Sequence, residues 1–102
     1  MLGFRLTPDA QADLIEIRRH SLQQWGAEQS QKYLCEIQNT IGLLAETPAL
    51  GKSRPDVGAD VHSFPQGSHI IYYVIHKQQV VVFWVLHKRM VPVAHLTERG
   101  LT

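Results

Sequence analysis

The sequence predicts an α+β domain of element order β-α-α-β-β-β, with a helical hairpin packed on one face of an antiparallel sheet. Three observations carry this expectation. Apolar residues recur at helical spacing through the first half of the chain. After residue 60 the pattern shortens to strand-like runs bounded by turn residues, and a single glycine, Gly26, separates the two helical stretches.

The opening residues Leu2 to Leu6 alternate and suit a short strand. "TPDA" then reads as a helix start. Thr7 can cap free backbone N–H groups, Pro8 fits the first helical position, and Asp9 complements the positive helix end. Ala10, Leu14, Ile17 and Ser21 to Trp25 form the apolar stripe, with Ile15 and Leu22 widening it. Gly26 closes the helix. In the second helix Leu34, Ile37, Ile41 and Leu44 mark the buried face, flanked by Tyr33 and Ala45. It ends near "ETPALG", because Pro48 disfavours helix at Thr47. One glycine between two amphipathic helices implies an antiparallel helical hairpin.

"PALGKSRPDVGAD" (48–60) has no periodicity and reads as a loop carrying Lys52 and Arg54. "VHSFPQG" and "SHIIYYVIHKQ" are strands joined at Gln66-Gly67, and "QVVVFWVLH" is the third. Lys77-Gln78 makes the last hairpin without the favoured Asn-Gly chemistry. The tail "MVPVAHLTERGLT" suggests a short helical turn at Ala94 to Arg99.

"VVVFWVLHKRM" (80–90) poses a packing problem. Val81, Phe83 and Val85 are expected on one face, and Val80, Val82, Trp84 and Leu86 on the other. The preceding strand is apolar on both parities too, with Ile70, Tyr72 and Val74 against Ile71, Tyr73 and Ile75. A helical hairpin covers one face only. The other needs intrachain packing, the C-terminal tail, a second copy of the chain, or another chain, and a partner is the favoured expectation.

Length and composition narrow the function. The 102 residues make one domain, and 44% hydrophobic with 19% charged residues is ordinary globular material. No apolar run approaches the ~20 residues of a membrane helix, and "MLGFRLTPDAQADL" has no export signal, so a cytoplasmic protein without membrane contact is expected. The single cysteine, Cys35, excludes an internal disulfide and a cysteine zinc cluster, and reads as a small packing residue. The six histidines (20, 62, 69, 76, 87, 95) show no HxxxH spacing. There is no GxxxxGK[ST] or GxGxxG either, so neither metal nor cofactor is expected. The net charge of +1 divides into −2 for residues 1–50 (four basic, six acidic) and +3 for residues 51–102 (six basic, three acidic). That asymmetry allows an acidic partner on the C-terminal half.

The residues with chemistry to offer are Arg54 in the loop and His87, Lys88 and Arg89 at the strand end. A metal-independent ribonuclease needs a base, an acid and cations for the phosphorane, and these four could supply them, with Glu46 or Asp60 as a carboxylate base. The same cluster also reads as a solvated basic strand end. Trp84 and Tyr72 read as core or interface residues.

The strand order with "TPDAQADLIEIRRHSLQQWGAEQSQKYL", "SFPQGSHIIYYV" and "VLHKRMVPVAHLTERG" resembles the ParE/RelE superfamily of toxins from bacterial toxin–antitoxin modules, over nearly the whole chain. Leu86-His87-x-Arg89-Met90 is the most specific part, and is similar to plasmid-addiction ParE proteins. The resemblance implies a non-enzymatic toxin that inhibits DNA gyrase and arrests growth, with no direct DNA binding. It also implies a ParD-type antitoxin whose disordered C-terminal segment wraps the toxin and covers the second apolar face. Toxicity would then rest on His87, Lys88, Arg89, Met90 and Arg99, supported by Arg54. Antitoxin contacts would involve Trp84, Tyr72, Leu14, Arg18 and Trp25, in a homodimer or a hetero-oligomer with the antitoxin. The alternative within the superfamily is a RelE-like ribosome-dependent mRNA endoribonuclease using His87, Arg54, Lys88 and Arg89. The chain has no tyrosine after Tyr73, so it lacks the catalytic tyrosine near the end of many RelE-like toxins.

Overall fold

The computed structural model describes residues 3–90. Strand β1 (Gly3–Leu6) leads into α1 (Pro8–Trp25) and α2 (Ala27–Glu46). A 3-10 turn (Pro48–Leu50) and β2 (Lys52–Ser53) precede β3 (His62–Gln66), β4 (His69–His76) and β5 (Gln79–His87). The local signals act as their chemistry requires. Thr7 Oγ1 accepts the Ala10 N–H at 3.2 Å and caps α1, with Pro8 in the first turn. Gly26, at φ 88°, ends α1 and starts α2 in one residue, a backbone state that side chains resist. Behind this corner the buried Ser21 and Ser30 hydroxyls meet at 2.5 Å and lock the two helices.

The sheet order is β1-β5-β4-β3-β2. Two features differ from the sequence expectation. The sheet is mixed, because β1 pairs with β5 in parallel, and part of the expected loop, Lys52–Ser53, is an edge strand against β3. The two differences share a cause. The helical hairpin returns the chain to the end of the sheet where β1 finished, so β2 runs opposite to β1. Three reversals later β5 runs with β1.

A third difference lies in β5. Tyr72 pairs with Trp84 but Tyr73 pairs with Val82, which leaves Phe83 as the extra residue of a β-bulge. The bulge reverses the inward parity partway along the strand. Val80 and Val82 face the helices, and so does Val85, beside Ile71, Tyr73, Ala10, Ile17, Ile37, Ile41 and Leu44. Trp84 and Leu86 go to the opposite face with Tyr72 and Val61. The expected grouping of Val81, Phe83 and Val85 is therefore broken by one inserted residue.

The opposite face is covered in part by the chain's own 54–61 loop. That loop is closed by Arg54 N–H to Val61 O at 2.7 Å, and it lays Val57 and Val61 against Tyr72, Trp84 and Leu86. Trp84 and Tyr72 are 0% and 2% exposed. The stripe on α1 is narrower than expected, since Ile15, Leu22 and Trp25 all lie exposed. Among the described residues no helix is long and apolar enough to cross a membrane. The expected helical turn at 94–99 lies outside the described residues.

Candidate functional site

β1 stops opposite Val82, so among the described residues the last part of β5 has no strand on that side. The first residues of α1 take over its edge. Thr7 N–H donates to Val82 O at 3.0 Å, the Thr7 hydroxyl to Phe83 O at 3.3 Å, and Val85 N–H donates to Asp13 Oδ2 at 3.0 Å. Between α1 and this end of β5 lies a groove of about 510 Å³, lined by His20, Trp25, Tyr33, His69, His87 and Met90 among others.

The strand end itself is a tight turn. Lys88 N–H donates to Ser68 O (2.9 Å), Arg89 N–H to His87 Nδ1 (3.1 Å) and Met90 N–H to His87 O (2.9 Å). His87 is half-buried, while Lys88, Arg89 and Met90 are exposed. These four expected residues do form one cluster.

Arg54 does not join it. Its guanidinium lies 5.5 Å from the Tyr72 ring centre, grips Asp56 through two bonds of 2.9 and 3.0 Å, and reaches Ser63 Oγ at 3.4 Å. The Asp56 carboxylate raises the Arg54 pKa, and the Arg54 guanidinium lowers that of Asp56. Tyr72 belongs to the face away from the helices, whereas His87 stands edge-on to His69, which meets Tyr33 of α2 on the helical face. The sheet therefore separates Arg54 from His87, and the ribonuclease constellation of those two residues is not assembled.

The remaining expected contacts divide by burial. Arg18 and Trp25 are exposed and Leu14 is half-buried against the core. Trp84 and Tyr72, expected to meet an antitoxin on an open face, are instead packed inside the chain. Their burial follows from the bulge, which sends Trp84 to the face that the 54–61 loop helps cover. Arg99 lies outside the described residues.

Sequence reasoning passed over Tyr33 and His69. The rings of Trp25, Tyr33, His69 and His87 form a chain, with successive centres 5.5, 5.6 and 5.5 Å apart. The Tyr33 hydroxyl accepts the Ser68 N–H at 3.0 Å and lies 3.1 Å from Gln66 O and 2.6 Å from His69 Nδ1. It has one proton to give, so the partner that receives it depends on the tautomer of His69. Burial, reinforced by the neighbouring His87 and His20, pushes the His69 pKa down to about 4. Burial also raises the Tyr33 pKa. The pairing of residue 69 with residue 87 is nearly visible in the sequence. A two-residue turn at 77–78 pairs 69 with 86, and the bulge moves the partner on by one. Although three histidines line the groove, no group of three or more His, Cys, Asp or Glu among the described residues could hold a metal ion.

Two helices on one face of a mixed five-stranded sheet are also the fold of a chain from the solved "Chromosomal ParDE TA system from P. aeruginosa". The match has a TM-score of 0.73 at 19% identity and covers 85% of this chain and 96% of that one. Sequence agrees with fold. The family profile described as "ParE toxin of type II toxin-antitoxin system, parDE" matches residues 4–92. The chain is 38% identical over 73 residues to "Toxin ParE1" of Caulobacter vibrioides, covering 72% of this chain and 76% of that relative. It is 33% identical over 70 residues to "Toxin ParE1" of Mycobacterium tuberculosis, covering 69% and 71% respectively. The chain belongs to the ParE toxin family of type II toxin–antitoxin systems.

Proposed function

We propose that this ParE-family toxin acts in the cytoplasm by binding and inhibiting DNA gyrase, without catalysis of its own, and that a ParD-type antitoxin neutralises it. The observation that supports binding over catalysis is the placement of the cations. His87, Lys88, Arg89 and Met90 form a compact basic end, while Arg54 is tied to Asp56 on the other face of the sheet. A projecting basic turn suits an acidic protein surface, which it would find and orient against through its field. The antitoxin segment, disordered until bound, would fold over the exposed side of α1, where Ile15, Arg18, Leu22 and Trp25 lie bare.

The test is a supercoiling assay with purified gyrase run beside a translating-ribosome cleavage assay. Inhibited supercoiling with intact message supports the reading. Cut message with unaffected gyrase overturns it in favour of a RelE-like ribonuclease. Arg89→Ala is expected to weaken toxicity and leave antitoxin binding intact; loss of both would make Arg89 a structural residue instead.

A further inference from the structure

The basic end of β5 is held from outside the strand. Tyr33, on α2, reaches the β3–β4 turn with its hydroxyl, taking the Ser68 N–H at 3.0 Å and lying 3.1 Å from Gln66 O. The turn is moulded on this side chain. Gly67 has φ 58°, and a Cβ there would stand 2.6 Å from a Tyr33 ring carbon. The Trp25 ring meets Tyr33 edge-on and backs it from α1. Two connections then run from the turn to the strand end. Ser68, whose N–H meets the hydroxyl, gives its carbonyl to the Lys88 N–H at 2.9 Å. His69, 2.6 Å from the hydroxyl, stands edge-on to His87, whose Nδ1 accepts the Arg89 N–H at 3.1 Å.

From this geometry we infer that Tyr33 is a positioning residue for the toxin-active end, fixing through Ser68 and His69 the backbone from which Lys88 and Arg89 project. The inference rests on the reading that His87–Arg89 contacts the target. The long side chains of Lys88 and Arg89 are exposed, so the backbone is the part of this site that the fold can organise beforehand. Prior organisation lowers the ordering cost of binding. Loss of the hydroxyl removes the bond that seats the turn and leaves the ring packing in place.

The experiment is Tyr33→Phe, with Gly67→Ala as an independent variant that displaces the turn from its own side. Both keep the cluster residues intact. Four quantities are measured: thermal midpoint, amide exchange at Lys88, half-inhibitory concentration against gyrase, and affinity for a ParD-type antitoxin. The expected result is folded protein, Lys88 exchange faster by about tenfold, inhibition weaker by about tenfold, and antitoxin affinity within about twofold of wild type. Wild-type inhibition despite faster exchange overturns the inference. So does weaker inhibition with unchanged exchange, which would make the hydroxyl itself a target contact. Should wild-type protein leave gyrase untouched, the gyrase reading fails by itself. Growth arrest on induction then replaces the enzyme assay, and arrest by Tyr33→Phe at wild-type strength overturns the positioning role.

Discussion

Acidification below about pH 6.5 should destabilise this protein, and His69 should set the window. In the unfolded chain a histidine takes up its proton near pH 6.5, whereas in the fold His69 does so only near pH 4, chiefly because burial desolvates the cation. Between those values the unfolded state holds the extra proton. The stability tied to neutral His69 is therefore complete above pH 6.5 and is lost as the pH falls toward 4. The groups that line the groove with it are Tyr33 from α2, His87 from β5, and His20, Asp13 and Glu16 from α1. Neither acid is idle, since Asp13 accepts the Val85 N–H and Glu16 pairs with Arg19.

Fully realised, the gap would be worth about 3.4 kcal/mol. The His69 ring is only half-buried, and solvent screening reduces the expected effect to about 1–2 kcal/mol. The assay is urea unfolding at pH 7.5 and 4.5 for the wild type and for His69→Gln. The wild type should lose that much more stability on acidification than the variant, with equal slopes in urea. An identical pH dependence in the two proteins would refute the argument and move the titration to another group.

Other outcomes follow from packing and backbone geometry. Lys77 and Gln78 hold φ of 51° and 62° in the β4–β5 turn, so Lys77→Asn with Gln78→Gly should raise stability by about 1 kcal/mol, read as a higher urea midpoint. An unchanged or lower midpoint would mean that the turn carries no such strain. A Cβ at Gly51 would lie 2.1 Å from the Tyr73 hydroxyl, which accepts the Gly51 N–H and donates to Pro48 O. Gly51→Ala should cost about 1–3 kcal/mol through overpacking, and a neutral thermal melt would refute that contact. Trp84→Ala, in the second core, should cost about 3–5 kcal/mol of folding stability. A variant with wild-type stability and lost antitoxin binding would show Trp84 to be an interface residue after all.

The elements themselves were legible because their signals are local. Thr7 and Pro8 start α1, Gly26 turns the hairpin, and the helical spacing of Ile37, Ile41 and Leu44 selects the buried face of α2. The cluster from His87 to Met90 was legible for the same reason: consecutive residues at the end of a strand cannot be far apart.

The tertiary structure decided everything that depends on pairing. The direction of β5 relative to β1 follows from the number of chain reversals, and one of them turns on the two-residue strand β2, too short to leave a pattern. The bulge at Phe83 is equally silent, because a run apolar at every position reads the same on either parity. That one residue sent Val85 to the helices and Trp84 to the opposite face, and it set His87 across from His69. Only the sheet between them shows that Arg54 and His87, plausible partners by residue type, occupy opposite faces. Sequence spacing fixed which residues are neighbours along the chain. Register and face, which no single segment encodes, fixed which of them meet.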